Sequence, residues 1–259
     1  MEVPVEQTDE RNLTSATTAM ERGRKPVSFA AAGVVELRRY LLHPGGFPVL
    51  RRLFENHFIA GQQDAGMLVG TVYEDLDQPD RFVWWRAFAD MADRRRALET
   101  FYDGPLWAAH RDEANATMID SDDVLLLRHT DPPHGDMFAD RLVSGPPPGT
   151  TTATMIVRGA VDLDEGMWVT GKLPDILEAV LQVPVSTWRT EPAANTFPRL
   201  PVRPGLAFVW TADFSDPAEL AAALNRLRAH PDWRRWGDGH TGDVELMRLR
   251  GVTTGQARP

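Results

Sequence analysis

The sequence predicts an α+β fold: two tandem halves, each ordered β-α-β-β-α-β, packed sheet to sheet as one barrel-like unit. Three observations predict it. Between residues 34 and 130 the hydrophobic period switches from two to three-or-four and back in that order. A Pro- and Gly-rich break, with DPPHGD and SGPPPG, then interrupts every periodicity. Beyond it the pattern returns in weaker form: FVWWRAFADMADRRRALETF is echoed by FVWTADFSDPAELAAALNRL, and GPLWAAH by HPDWRRW. Helices on one side of each sheet leave the other side uncovered, and two such sheets in one chain can cover each other.

The elements follow in order. Residues 1–32 lack periodicity and read as a disordered leader. VVELRRYLL (34–42) is the first strand, with Val35, Leu37, Arg39 and Leu41 on one side and Glu36, Arg38, Tyr40 and Leu42 on the other. His43-Pro44-Gly45-Gly46 is a turn, and a helix over 47–64 carries Phe47, Leu50, Leu53, Phe54, His57, Phe58 and Gly61 on one stripe. Strands over 67–74 and 81–88 come next. Asp90 is the N-cap of a helix from Met91 through Phe101; Gly104-Pro105 breaks it, a second segment covers 106–118, and 124–128 is the fourth strand. This is the split arrangement of the ferredoxin-like fold, occupying 33–130. Residues 131–150 read as a linker on the outside of the molecule.

A second, degenerate ferredoxin-like domain covers 151–251, and 252–259 is a flexible tail. Its strands are expected over 152–161, 184–191, 205–214 and 244–250, with a short helix over 173–181. Asp216 caps a further helix with Pro217 at its first position, and Ala218, Ala221, Leu224, Leu227 and Arg228 form its stripe.

Composition narrows the function classes. A net charge of -9 and a pI near 5.3 give no basic footprint for nucleic acid, and no Lys/Arg-rich amphipathic segment addresses a membrane surface. Cysteine is absent, which excludes disulfides, thiolate nucleophiles and Cys-ligated zinc. Neither a signal-peptide pattern nor a run of about 20 apolar residues occurs, so a cytoplasmic protein is expected. Eight Trp against three Tyr point to indoles that fill the core or line a cavity.

VVELRRYLLHPGGFPVLRRLFENHF, FVWWRAFADMADRRRALETFYDGPLWAAHRDEANATM and SDDVLLLR together resemble the NIPSNAP family of the dimeric α/β-barrel superfamily. The resemblance covers about 34–130, including the exit Tyr40-x-x-His43-Pro44-Gly45; the second half resembles it more loosely, without the His-Pro-Gly turn. It implies the fold and a tendency to pair two such domains across their sheets. It implies little about activity: relatives in the wider superfamily include cofactor-free monooxygenases of aromatic polyketides, heme-dependent enzymes and stress-response proteins.

The chemistry is expected in the first half, between the inner face of strand one and the helix carrying Trp107 and His110. Glu36, Arg38 and Tyr40 are expected to point into the barrel, with Trp84 and Arg86 or else Arg81, Val83 and Trp85 from the third strand; that strand is apolar on both faces, so its register stays open. A Glu36–Arg38 or Glu36–Arg86 pair is the purely structural account of these charges. The alternative is a ligand-contacting cluster of Glu36, Arg38, Trp84, Arg86 and Trp107. In that case Arg38 anchors an acidic or enolate-like oxygen, and Tyr40, His43 and His110 are the catalytic candidates for moving a proton. His57 reads as a structural histidine, and the acidic run near 112–123 as a solvated face. The second half presents Thr154, Ile156 and Arg158, or Met155 and Val157, and serves as wall.

No cofactor and no metal is expected, because no HExxH pair, no paired-histidine spacing and no phosphate loop is present. Two functions of different class remain. One is a cofactor-independent enzyme acting on a small hydrophobic or aromatic metabolite, such as one of secondary metabolism, by general acid/base chemistry. The other is a non-catalytic small-molecule-binding or structural protein. A heme enzyme, with His110 or His230 as axial ligand, is a third reading without a supporting signature. The expected partner is a small hydrophobic or aromatic molecule, with no nucleic acid and no membrane, in a monomer or homodimer.

Overall fold

The computed structural model describes residues 28–130, 141–159, 173–240 and 242–253. The first half runs β1 (Val34–Leu42), α1 (Gly46–Leu53) continued through a π turn (Phe54–Phe58) into α2 (Ile59–Asp64), β2 (Leu68–Asp75), β3 (Arg81–Phe88), α3 (Met91–Tyr102), α4 (Pro105–Asn115) and β4 (Met118–His129). The second half runs β5 (Thr151–Arg158), α5 (Leu173–Leu181), β6 (Val185–Thr190), β7 (Ala207–Phe214), α6 (Pro217–Ala229), α7 (Pro231–Gly239) and β8 (Val244–Thr253). Equivalent caps start α3 and α6: Asp90 accepts the N–H of Asp93, and Asp216 accepts those of Ala218 and Glu219. Gly45 takes φ +80° in the turn before α1, a conformation glycine reaches without steric cost.

The strands close into one barrel in the order β1-β3-β2-β8-β5-β7-β6-β4, with β4 returning to β1. Within each half this is the ferredoxin-like order. The halves join at their sheet edges, β2 to β8 with Asp75 opposite Leu249, and β4 to β6 with His129 opposite Trp188. Closure leaves no strand edge unpaired. The inner faces share one core: Val35, Leu37, Val83, Trp85, Leu125 and Leu127 meet Ile156, Trp188, Val209 and Met247. Trp85 and Trp188 lie 4.9 Å apart across the join.

The two ends of the barrel are closed differently. At one, Arg39 bridges Glu245 (2.5 Å) and Asp123 (2.6 Å), Arg81 reaches Glu245 (2.5 Å), and Arg158 reaches Asp123 (3.3 Å). At the other, Phe29 and Leu142, both wholly buried, enter the shared core. Gly70 admits them: a Cβ there would sit 3.1 Å from the Phe29 ring and 3.1 Å from the Leu142 carbonyl oxygen.

Several expectations change. Glu36, Arg38 and Tyr40 do not point into the barrel; they face the helices of the first half, and Val35 and Leu37 face inward. The reason is that helices cover the outside of the sheet while the second half covers the inside. Both faces are buried, and the more apolar alternates go to the interior where Trp188, Val209 and Met247 wait. The third-strand register is settled by pairing: Glu36 lies opposite Arg86, Arg38 opposite Trp84 and Tyr40 opposite Phe82, so Trp84 and Arg86 share their side. Phe29 and Ala32 belong to the core, so the folded part includes residues read as leader; residues 1–27 lie outside the described residues. Residues 131–140 of the linker also lie outside them, whereas residues 141–144 are helical and hold Leu142 inside. β8 continues to Thr253, two residues into the stretch read as tail. In α6 the buried stripe is Leu220, Ala223, Leu224 and Leu227, while Ala218, Ala221 and Arg228 are exposed. Among the described residues no helix is long and apolar enough to cross a membrane.

A shared interior makes the halves one cooperative unit. Trp188→Ala, at the join, is expected to destabilise the whole protein by about 3–5 kcal/mol. Urea unfolding followed by tryptophan fluorescence and by far-UV circular dichroism should give one coincident transition in parent and variant; two separated transitions would show that the halves unfold independently.

Candidate functional site

Between the outer face of the first-half sheet and its helices lies a cluster of charges with almost no access to water. Glu36 of β1 is completely buried and accepts from three guanidiniums: Arg38 Nη1 at 2.6 Å, Arg86 Nε at 2.6 Å and Arg94 Nε at 2.7 Å. Register explains two of these partners, since Arg38 follows at i+2 on the same strand and Arg86 stands directly opposite on β3. Arg94 comes from the first turn of α3, on the helical stripe that continues through Ala97, Leu98 and Phe101. Three further guanidinium nitrogens donate to neutral acceptors: Arg38 Nε to Tyr40 Oη (2.8 Å), Arg86 Nη1 to Gln62 Oε1 (3.2 Å) and Arg94 Nη1 to Asn195 Oδ1 (2.9 Å). Arg38 and Arg86 also lie 5.6 and 5.4 Å from the Trp84 ring, within reach of a cation–π attraction.

Burial by itself pushes the Glu36 pKa up, but the guanidiniums, Arg86 and Arg94 ahead of Arg38, outweigh it and hold the carboxyl well below the usual carboxylate range. Burial likewise raises the Tyr40 pKa, against the opposing pull of Arg38. Tyr40 is therefore a neutral phenol at ordinary pH. Its oxygen accepts from Arg38, so its own proton remains to be donated.

Beside the cluster lies a cavity of about 30 Å³, lined by Tyr40, Gln62, Trp84, Phe54, Phe58, Tyr102 and Trp107, with Phe101, Leu50, Ala114 and Met118 completing it. Such a space holds about one or two waters or a small group. Tyr102, Trp107 and Met118 are half-buried and mark its outer side. The buried Trp84 indole N–H has no acceptor among the described residues. An arm from the second half, residues 191–206, crosses to this layer: Asn195 accepts from Arg94, Thr196 donates to the Met91 carbonyl (3.2 Å), and Phe197 stacks on Tyr102 with ring centres 5.9 Å apart. Sequence reading missed Arg94 and the arm. The internal repeat held a signal for the first, because Arg94 aligns with Leu220.

The structure brings six of the eight expected site residues together: Glu36, Arg38 and Arg86 in the charge cluster, and Tyr40, Trp84 and Trp107 on the cavity wall. His110 is half-buried behind the cavity wall, its ring stacked on that of His57 at 3.9 Å and edge-on to Phe58, which lines the cavity, at 6.3 Å. His43 is exposed in the turn after β1 and joins neither group. Among the described residues no three His, Asp or Glu side chains are placed to hold a metal ion. Heme does not fit these residues. Neither His110 nor His230 lines the cavity, and the cavity is far smaller than a macrocycle.

The second half serves as an internal reference. Ala153 stands opposite Ala212, Met155 opposite Trp210 and Val157 opposite Phe208, in the places of the Glu36–Arg86, Arg38–Trp84 and Tyr40–Phe82 pairs. With Leu220 in the place of Arg94, that layer is apolar throughout. The fold alone does not require charges there.

A closed barrel of two ferredoxin-like halves in one chain, with a buried aromatic cavity beside it, is the dimeric α/β-barrel architecture. Residues 35–132 match the NIPSNAP family model. No curated protein matches the chain. Among solved structures it is similar to an anthrone oxidase-like protein (13% identity, 90% of this chain and 99% of that one, TM-score 0.60). It is also similar to a putative monooxygenase from Lactobacillus acidophilus NCFM (9% identity, 88% and 98%, TM-score 0.51). A putative chlorite dismutase matches at 13% identity over 86% and 95%, with TM-score 0.50. At these identities the likeness is one of fold.

Glu36→Gln removes the negative centre of three buried cations and is expected to cost about 3–5 kcal/mol, read from the urea midpoint. The pH dependence has a fixed sign. The folded pKa of Glu36 lies below its ordinary value of 4.5, so its stabilisation is present above that pH and is lost as pH falls below it. Between pH 5 and 3 the parent should therefore lose more stability than the Gln variant; equal losses would remove Glu36 from the acid response.

Proposed function

We propose that the chain binds a small hydrophobic or aromatic molecule in the first-half cavity and acts on it by general acid/base chemistry without a bound cofactor, Tyr40 supplying the proton. The observation that carries this reading is the Arg38–Tyr40 contact: a guanidinium donates to the phenol oxygen at 2.8 Å in an aromatic-walled cavity. This directs the phenol proton toward a ligand and leaves Arg38 beside the phenolate that forms on transfer. Trp84, Phe58 and Trp107 supply apolar walls, and Gln62 and the Trp84 N–H supply orienting polar groups. His110, packed edge-on against Phe58 of the cavity wall, is the candidate for returning the proton from solvent. The fold likeness to an anthrone oxidase-like protein agrees with an aromatic substrate. A ligand larger than the present cavity requires Tyr102, Trp107 and the 191–206 arm to move outward, and all three meet at its outer side.

A second reading, binding without turnover, is favoured by one observation: the barrel interior is filled by side chains from both halves, and the remaining cavity is small. Kinetics separate the two. With a panel of phenolic and polycyclic aromatics, Tyr40→Phe should keep binding, measured by tryptophan quenching, within about threefold while turnover falls about 100- to 1000-fold. Trp107→Ala should weaken binding itself. Binding lost in Trp107→Ala with no turnover in the parent establishes the non-catalytic reading; turnover unchanged in Tyr40→Phe overturns the role given to Tyr40.

A further inference from the structure

We propose that the Glu36 cluster is an anion-binding site that takes one small oxyanion, a carboxylate or a group of similar size, between Arg86 and Arg94. The first observation is charge. Three guanidiniums, each no more than 1% exposed, share a single carboxylate, which leaves two positive charges without a counter-charge among the described residues. Among the described residues these three arginines make no other ion pair. An arginine cannot shed its proton at any physiological pH, so the surplus cannot be relieved by titration. Tyr40 does not relieve it either, since burial keeps it a neutral phenol.

The second observation is hydrogen bonding. Arg86 Nη2 and Arg94 Nη2 are both buried and both lack an acceptor among the described residues, although Nε of each is bound to Glu36 and Nη1 of each to a side-chain amide oxygen. The two unmet charged donors belong to arginines that share one carboxylate and come from two elements, β3 and α3. An oxyanion accepting from both satisfies the donors and lowers the surplus charge in one step. The third observation is the internal repeat, where Ala212 and Leu220 replace Arg86 and Arg94 and close an apolar layer on the same backbone plan. The charges thus belong to a site present in one half only.

Access is through the cavity. Tyr40, Gln62, Trp84 and Tyr102 line it and are also the groups that touch or face the guanidiniums. The inference rests on the cavity reading for its entrance and deepens it: the preferred cavity ligand carries an acidic group. The same oxyanion chemistry could come from a free small anion or from the carboxylate of an aromatic acid, and the test separates them.

The parent protein, in a buffer whose only anion is a bulky sulfonate, is titrated with sodium formate, nitrate or benzoate at constant ionic strength while its melting temperature is followed. The expected result is a saturable rise on the order of 5 °C at a hundredfold excess over Kd. Arg94→Met should abolish it, and Arg248→Met, which alters an exposed pair with Asp77, should keep it. Should Arg94→Met not fold, Arg94→Lys, which keeps the charge but loses the planar fork, should raise Kd at least about tenfold. If formate and benzoate both act and Trp107→Ala weakens only benzoate, the site holds the acidic group of a cavity ligand. Formate acting while benzoate and neutral aromatics fail supports the anion site and removes the aromatic-ligand reading. Neutral aromatics binding while no anion gives a saturable shift in the parent overturns the anion site and leaves the cavity reading standing.

Discussion

The Glu36 carboxylate holds together the layer between the first-half sheet and its helices, because it is the common acceptor of side chains from three elements. Arg38 reaches it along β1, Arg86 across the β1–β3 ladder and Arg94 from α3, and Arg94 in turn holds Asn195 of the arm from the other half. Each contact is satisfied only if the strand register, the seat of α3 and the docking of the arm are all correct. Burying such a set is costly, and apolar packing of the same volume is often at least as stable. Its contribution is positional: it places the Tyr40 phenol, the Trp84 indole and the Gln62 amide around one small cavity with defined orientations.

Barrel closure determines why this happens outside the barrel. Once β2 pairs with β8 and β4 with β6, the inner faces of both sheets are sealed against each other, and the interior is a core with the same packing demands as any other. Its ends are occupied as well, by the Arg39–Glu245–Arg81 network at one and by Phe29 and Leu142 at the other. Among the described residues a cavity lies between sheet and helices, where long aromatic side chains from the π turn, α3 and α4 meet imperfectly over β1 and β3.

The strands and helices were legible in the sequence because alternation and the three-and-four spacing are local. β1, β2, β3 and α3 of the first half, and α5 of the second, lie within a residue or two of where periodicity puts them. Period two also grouped Glu36, Arg38 and Tyr40 on one side, and pairing adds Trp84 and Arg86 to it. What alternation cannot say is which side is the interior when both sides are buried. That is decided by residues more than 60 positions away, Trp188, Val209 and Met247 among them. Arg94 stayed hidden because it opens the run Arg94-Arg95-Arg96, of which the other two are exposed, as a charge run on a helix ordinarily is. The 191–206 arm has no period at all, and its Pro-rich composition says only that it is neither helix nor strand.

Duplication explains how one half can carry an expensive polar layer. The second half repeats the plan with Ala153, Met155, Val157, Ala212 and Leu220 in the places of Glu36, Arg38, Tyr40, Arg86 and Arg94, and so packs α6 onto its sheet with apolar contacts alone. Since the two halves share a continuous hydrogen-bonded barrel and a single interior, stability gained in one is available to the other. A sequence that only had to fold would have no reason to keep its halves different in this way. Departures from local consistency beside a consistent copy of the same structure are the positions to test first for a role beyond folding.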